Sequence, residues 1–146
     1  MGSHGILISV DEELLAKELA KKLETLGYQI AGQAFSAQEA YRMVDERQPS
    51  LILMDIDLEK DTGGIDAAVQ IRTKFDGPLV YLIEHAEMDV IERAKHTKPY
   101  GYVSKPVSIV QLSSTVETAL FNHKSDQKIR ESQTQKLRAE DRKSVV

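Results

Sequence analysis

Three short runs of almost uncharged residues each end at a single charged residue, and this pattern restricts the possible fold strongly. The runs cover residues 5–10, 50–54 and 100–104, and they end at Asp11, Asp55 and Lys105. Such runs, bounded by polar residues, are typical of strands buried in a parallel sheet. Ligands of open α/β sheets bind at the carboxyl ends of the strands. Neighbouring strands would therefore bring two carboxylates and one ammonium group into one crevice, which can hold a divalent cation, an anion or both.

Between these runs, the chain alternates between helical and strand patterns. Leucines recur at helical spacing over residues 15–26, and Gly27 ends that helix. Ser36 and Glu39 have the capping-box spacing and open a second helix, which Pro49 ends. The other predicted elements are strands over residues 28–34 and 79–83 and helices over residues 65–75, 88–95 and 107–121.

The alternation predicts the fold class. Five βα repeats in about 120 residues favour an α/β fold with a doubly wound, five-stranded parallel sheet and helices on both faces, as in flavodoxin-like (βα)5 proteins. Residues 56–64 are predicted to form a polar loop in which Gly63 and Gly64 supply backbone freedom.

Composition excludes several functional classes. The chain contains no cysteine, so disulfides, thiolate catalysis and cysteine-ligated zinc are excluded. The net charge of −4 argues against nucleic acid as a direct ligand, and no helix-turn-helix pattern is present. No run approaches the roughly 18 apolar residues of a membrane span, and no signal peptide is recognisable. We expect a cytoplasmic protein.

Four fragments, in this order along the chain, resemble the receiver domain of two-component response regulators, of which CheY-like proteins are examples. They are residues 6–12 (ILISVDE), 51–56 (LILMDI), 64–68 (GIDAA) and 101–106 (GYVSKP). The separation of 44 residues between Asp11 and Asp55 (55 − 11) also suits the family. The resemblance implies a phosphoprotein that serves as a signalling domain in a phosphorelay, and not an enzyme.

The chain is predicted to divide into three segments. Residues 1–4 are typical of the remnant of a cleaved expression tag. Residues 5–121 form the predicted receiver domain. Residues 122–146 have few apolar residues and more basic than acidic ones, which favours a solvated helix that extends the last core helix. We interpret this segment as a charged helical linker toward a sensory or kinase domain in a longer chain.

The resemblance also implies roles for individual residues. Asp55 is the expected phosphoacceptor, and its carboxylate would attack the phosphorus of a phosphohistidine or a small phosphodonor. Asp11, Asp55 and the backbone carbonyl of Asp57 would bind Mg²⁺. Lys105 would pair with Asp55 at rest and with the phosphoryl group afterwards. Tyr102 matches the aromatic residue that changes rotamer when the domain switches.

Two positions depart from the family pattern. The family has two adjacent acids after the first strand, but this chain has Val10 before Asp11. It also has Ser or Thr at the end of the fourth strand, where this chain has Ile83 followed by Glu84. A hydrocarbon side chain cannot donate a hydrogen bond, and a carboxylate there would repel a phosphoryl group. We expect a weakened Mg²⁺ site, in which Glu12 or the side chain of Asp57 compensates, and an impaired switch.

Simpler interpretations exist for the same residues. Asp11 is also suited to capping the first helix, a role that we rank below metal binding. Lys105 and Pro106 can form a turn alone, and Tyr102 can be a half-buried aromatic residue at the sheet edge. The four histidines have no spacing typical of a metal site and are expected on the surface.

These alternatives leave three functional hypotheses. The first is a phosphoacceptor that receives its phosphoryl group from a sensor histidine kinase or a phosphotransfer protein and signals through the fourth helix, fifth strand and fifth helix, a surface that also suits a homodimer. The second is a degenerate receiver that acts as a binding or dimerisation module without phosphorylation. The third, a flavin or nucleotide binder, is disfavoured because the carboxylates of residues 11–13 would repel phosphate.

Overall fold

The computed structural model describes residues 4–85 and 87–144. The predicted tag remnant lies outside these residues except for His4, as do the last two residues of the predicted linker. The strands are β1 (Gly5–Ser9), β2 (Gln29–Ala34), β3 (Leu51–Asp55), β4 (Leu79–Ile83) and β5 (Gly101–Ser104). The helices are α1 (Glu13–Thr25), α2 (Ala37–Arg47), α3 (Gly63–Ile71), α4 (Met88–Lys95) and α5 (Ile109–Ser144).

The strands form one parallel sheet in the order β2-β1-β3-β4-β5, which confirms the predicted doubly wound, flavodoxin-like fold. Strand β2 lies on one side of β1, and strands β3, β4 and β5 follow one another on the other side. The strand order therefore reverses between β1 and β3. Ser9 pairs with Met54 across this junction. Ligands of such sheets bind beyond the carboxyl ends of the strands at this reversal, and Asp11 and Asp55 both lie there.

Two apolar clusters cover the two faces of the sheet. On one face, α1 and the first part of α5 pack against side chains such as Ile8, Leu53 and Val103. On the other face, α2, α3 and α4 pack against side chains such as Leu7 and Met54. Strand β3 is buried along its whole length, as its uncharged sequence predicts. Burial on both faces makes the positions of the residues at the end of this strand rigid.

The junction between β3 and α3 differs from its prediction. Helix α3 begins at Gly63, so Gly63 and Gly64 are helical and are not part of the loop. A Cβ atom at Gly63 would collide with the carbonyl oxygen of Leu58, and one at Gly64 would collide with that of Asp55. These glycines allow close approach of two backbone segments. The helix also ends at Ile71 and does not continue to Phe75 as predicted.

Helix α5 is continuous for 36 residues, which confirms the predicted helical extension of the last core helix. It begins at Ile109, two residues later than predicted. Among the described residues, no helix combines the length and the apolar character that crossing a bilayer requires.

Ser9 provides a test of the packing at the end of β1. Its side chain is fully buried, and its hydroxyl oxygen has no hydrogen-bond partner among the described residues. A buried hydroxyl without a partner has lost its water without compensation. We expect Ser9→Ala to raise the free energy of unfolding by about 1 kcal/mol, measured by urea denaturation. The control Ser104→Ala, at the exposed end of β5, should change the free energy of unfolding little. A loss of stability in Ser9→Ala would show that the Ser9 hydroxyl has a hydrogen-bond partner.

Candidate functional site

The centre of the candidate site is an ion pair between Asp55 and Lys105. Asp55 ends β3 and Lys105 follows β5, with β4 between these two strands. At the carboxyl edge of the sheet, Lys105 Nζ lies 2.9 Å from Asp55 Oδ2. The Asp55 side chain is only 5% exposed and that of Lys105 is 17% exposed. The other oxygen of Asp55, Oδ1, accepts a hydrogen bond of 3.0 Å from the backbone N–H of Asp57. The structure thus brings the predicted acceptor and its predicted cationic partner together.

The surroundings of Lys105 maintain its charge. Burial lowers its pKa, but the hydrogen bond from its ammonium group to Asp55 and the charges of Asp55, Glu12 and Glu84 outweigh that effect. The net result is a pKa above the ordinary lysine value. Lys105 is therefore a permanent cation at neutral pH, directed at the carboxylate that ends β3.

Asp11 links the site to the loop after β3. Its Oδ2 atom accepts a hydrogen bond of 2.9 Å from the backbone N–H of Glu59. The alternative interpretation of Asp11 as the cap of the first helix is wrong, because Glu12 is the N-cap residue of α1 and makes no side-chain cap hydrogen bond. Asp11 remains an exposed carboxylate beside the loop, with further lone pairs for a ligand.

The loop between β3 and α3 is held by its own acidic side chains. Asp57 Oδ1 accepts a hydrogen bond of 2.9 Å from the N–H of Thr62, and Glu59 Oε2 accepts one of 3.0 Å from the N–H of Ala37 at the start of α2. Glu59 and Thr62 both have positive φ angles, of 68° and 56°. Sequence reasoning missed Glu59 and Thr62, because non-glycine residues with positive φ have no strong sequence signal.

The two positions that depart from the family pattern are both apolar and packed. Val10 is fully buried within the cluster beneath α1 and α5. Ile83 is partly buried against the cluster beneath α3 and α4. Glu84, which follows Ile83, is exposed. The edge of the site at β4 therefore presents a hydrocarbon side chain and a nearby carboxylate, and neither of these groups donates hydrogen bonds.

Tyr102 lies on β5 in a packed position. Its half-buried ring stacks on the ring of Tyr81, with centroids 6.0 Å apart and an angle of 23° between the planes. Burial raises the pKa of Tyr102. The Tyr81 ring is fully buried, and its hydroxyl lies 2.6 Å from Thr97 Oγ1. The described position of Tyr102 is thus that of a packing residue, and its role in switching remains a prediction.

The carboxylates of the site have the chemistry that a magnesium ion requires. Asp11 and Asp55 each have lone pairs beyond those used in their hydrogen bonds, and hard oxygen donors are the ligands that Mg²⁺ prefers. Within residues 4–85 and 87–144, however, no three acidic or histidine side chains converge in a way that would hold a metal ion. Such a site would depend on two carboxylates, a backbone carbonyl and retained water.

Comparisons with known proteins identify the family of this chain. The sequence model of the response regulator receiver domain matches residues 6–117. Transcriptional regulatory protein PdtaR of Mycobacterium tuberculosis is 36% identical over 115 residues, covering 79% of this chain and 56% of PdtaR. Phyllosphere-induced regulator PhyR of Methylorubrum extorquens is 31% identical over 121 residues, covering 82% of this chain and 45% of PhyR. The chain spans about half the length of these curated relatives.

A solved structure of a receiver domain has a similar fold. The signal receiver domain of a modulated diguanylate cyclase from Desulfovibrio desulfuricans G20 superposes with a TM-score of 0.79 at 30% identity, covering 85% of this chain and 98% of that one. This chain belongs to the response regulator receiver domain family of two-component signalling. The family is one of signalling domains, generally without catalytic activity, whose members typically bind Mg²⁺ and interact with kinases or phosphotransfer partners.

Proposed function

We propose that this domain accepts a phosphoryl group on Asp55 from a histidine kinase or a phosphotransfer protein, with Mg²⁺ as cofactor, and relays a conformational signal. The observation that carries the proposal is the buried ion pair between Asp55 and Lys105 at the carboxyl edge of the sheet. A buried carboxylate whose cationic partner is positioned by another strand of the same sheet is pre-organised for reaction.

The chemistry assigns a step to each residue. A carboxylate oxygen of Asp55 attacks the phosphorus of the donor and forms an acyl phosphate. The bond between phosphorus and the donor's nitrogen or oxygen breaks, and its electron pair leaves with the donor group. Lys105 then moves its ammonium group from the carboxylate to the phosphoryl oxygens, and the N–H of Asp57 stays near the reacting carboxyl group.

Asp11, Asp55 and the backbone carbonyl of Asp57 would hold the Mg²⁺ ion, with Glu12 as a further candidate. When bound, the ion screens the approach of two anions and neutralises charge on the phosphoryl oxygens. Because Val10 replaces a carboxylate of the family pattern, we expect the affinity for Mg²⁺ to be lower than in a domain with both acids.

A second candidate function is a binding or dimerisation module that acts without phosphorylation. The apolar side chains of Val10, within one core cluster, and Ile83, partly buried against the other, favour this alternative. Without a hydroxyl at residue 83, a phosphoryl group on Asp55 has no side-chain donor at the end of β4. In either case, the surface of α4, β5 and α5 is the proposed site of homodimerisation.

Mass spectrometry of the intact protein separates the two functions. The protein is incubated with acetyl phosphate and Mg²⁺, and its mass is compared with that of Asp55→Asn treated in the same way. We expect the parent protein to gain the mass of one phosphoryl group and Asp55→Asn to gain none.

Asp57→Asn is the matched control, because it removes a neighbouring carboxylate and leaves an amide oxygen that can accept the Thr62 N–H. It should retain the adduct. An absence of adduct on the parent protein at saturating Mg²⁺ would contradict phosphorylation and support the binding module.

A further inference from the structure

The core-facing side of α5 continues beyond the end of the core as a polar stripe. Leu112, Val116 and Ala119 are fully buried against the sheet. The next residues at the same alternating spacing of four and three are His123, Asp126 and Arg130. Side chains at this spacing lie on one side of a helix. The side of α5 that packs on the core therefore continues along the same side of the helix beyond residue 119, but its side chains are polar from residue 123 onward.

These polar side chains bind the base of the domain, which is the amino-terminal edge of the sheet. The Tyr100 hydroxyl donates a hydrogen bond of 2.7 Å to Asp126 Oδ2, and Arg130 pairs with Asp76 Oδ2 at 3.0 Å. His123 Nε2 lies 2.8 Å from the backbone oxygen of Asp76. The rings of His123 and Tyr100 also meet edge to face, with centroids 5.7 Å apart. Asp126 and Arg130 are exposed, as the predicted solvated face requires, although both also contact the base. His123 is half-buried where a surface position was predicted.

Arg72 joins the two turns that carry Asp76 and Tyr100. Its guanidinium donates hydrogen bonds to the backbone oxygens of Phe75 and Gly77, which flank Asp76. It also donates to the backbone oxygens of Thr97 and Lys98, in the turn that precedes Tyr100 (the four bonds span 2.6–3.2 Å). One planar cation therefore holds both turns, so the two contact points for α5 keep a constant separation.

The polar stripe argues against a second copy as the partner of this helix face. A coiled coil requires apolar residues at its core positions, whereas His123, Asp126 and Arg130 occupy the corresponding positions here. Their hydrogen-bonding groups find complementary partners on the same chain instead. The occupant of this surface is the domain's own base.

We infer that His123, Asp126 and Arg130, together with Asp76 and Tyr100, form a base latch that sets the direction in which α5 leaves the domain. The latch lies at the opposite edge of the sheet from Asp55, and it does not depend on phosphorylation. Releasing it frees the helical extension from the domain while the core part of α5 stays packed. Arg72 is the positioning residue of the latch.

Amide hydrogen exchange tests the latch. The double variant Asp76→Ala/Tyr100→Phe removes two of its contacts and leaves every residue of α5 unchanged, so that the intrinsic helical propensity of the extension is the same. We expect exchange over residues 122–135 to become about tenfold faster, because these exposed polar contacts are individually modest, and exchange over residues 112–119 to stay unchanged. Equal exchange rates over residues 122–135 in parent and variant would overturn the proposal.

The matched control is Asp45→Ala, which removes an exposed ion pair with Lys74 elsewhere on the domain. It should leave exchange over residues 122–135 unchanged. The measurement is repeated over a range of protein concentrations. Protection that rises with concentration would show that the extension is covered by a second copy, and this result would also overturn the latch.

Spin-label distances give a second readout. Because the chain has no cysteine, Lys21→Cys and Gln135→Cys introduce the only two labelling positions, both exposed. We expect a narrow distance distribution in the latched protein and a broader one after Asp76→Ala/Tyr100→Phe. A broad distribution already present in the latched protein would contradict a fixed direction of α5.

Discussion

Gly64→Ala is expected to destabilise the domain by about 4 kcal/mol or prevent its folding. A Cβ atom at residue 64 would collide with the backbone oxygen of Asp55, and backbone on both sides of the contact has little freedom to move. The amide of Gly64 also donates a hydrogen bond of 2.8 Å to the backbone oxygen of Ile56, so the helix cannot retreat without losing it. Urea denaturation followed by circular dichroism measures the effect.

Gly27→Ala is the matched control for this substitution. Gly27 has a φ angle of +95°, and a Cβ atom there would meet nothing within 4 Å. Gly27→Ala should therefore lower the free energy of unfolding by only about 1 kcal/mol, because alanine disfavours the positive φ angle. A similar small loss in Gly64→Ala would show that α3 can move away from the end of β3, and that the acceptor carboxylate is less firmly held than the structure implies.

Lys105→Met should reduce the free energy of unfolding by about 3 kcal/mol, because it leaves the buried Asp55 carboxylate without its cationic partner. The pKa of Lys105 is raised above the ordinary value of 10.5, so the contribution of the lysine to the pair is fully present below pH 10.5 and is lost as the pH rises through the folded-state pKa. Denaturation at pH 7 therefore measures the full contribution.

The double variant Asp55→Asn/Lys105→Met completes a thermodynamic cycle. Replacing both charges removes the unpaired carboxylate, so the double variant should recover about 2 kcal/mol relative to Lys105→Met alone. Lys95→Met serves as a control, since its ion pair with Glu92 is exposed and should contribute about 0.5 kcal/mol or less. Additive losses in the cycle would mean that Asp55 and Lys105 do not interact in the folded protein.

The sheet and the centre of the site could be predicted from the sequence because their signals are local. The uncharged runs before Asp55 and Lys105 identify strands, although only β3 is buried along its length and β5 is a partly exposed edge strand. A charged residue at the end of such a strand must lie at the carboxyl edge. The alternation of strands and helices then places the carboxyl ends of all five parallel strands at one edge of the sheet. Asp55 and Lys105 consequently meet where the sequence pattern predicts.

The remaining features depend on contacts between distant residues. The bond from Glu59 to Asp11 joins residues 48 positions apart, and nothing near either residue indicates the other. Gly63 and Gly64 have the composition of a flexible loop, and only the three-dimensional approach of Leu58 and Asp55 explains why they are needed in a helix. The contacts of α5 with Asp76 and Tyr100 also join residues far apart in the sequence, so the sequence did not predict them. Charged residues on a helix are usually solvated, and nothing near them indicates such contacts.

The most direct test of the account locates the phosphoryl group on the chain. The protein is treated with acetyl phosphate and Mg²⁺, the acyl phosphate is trapped by reduction with borohydride, and the modified residue is identified by tandem mass spectrometry of its peptides. Modification at Asp55 alone is the predicted result, because its carboxylate is the one held by Lys105. Modification at Asp11 or Asp57, or of no residue at all, would contradict the assignment of Asp55 as the phosphoacceptor.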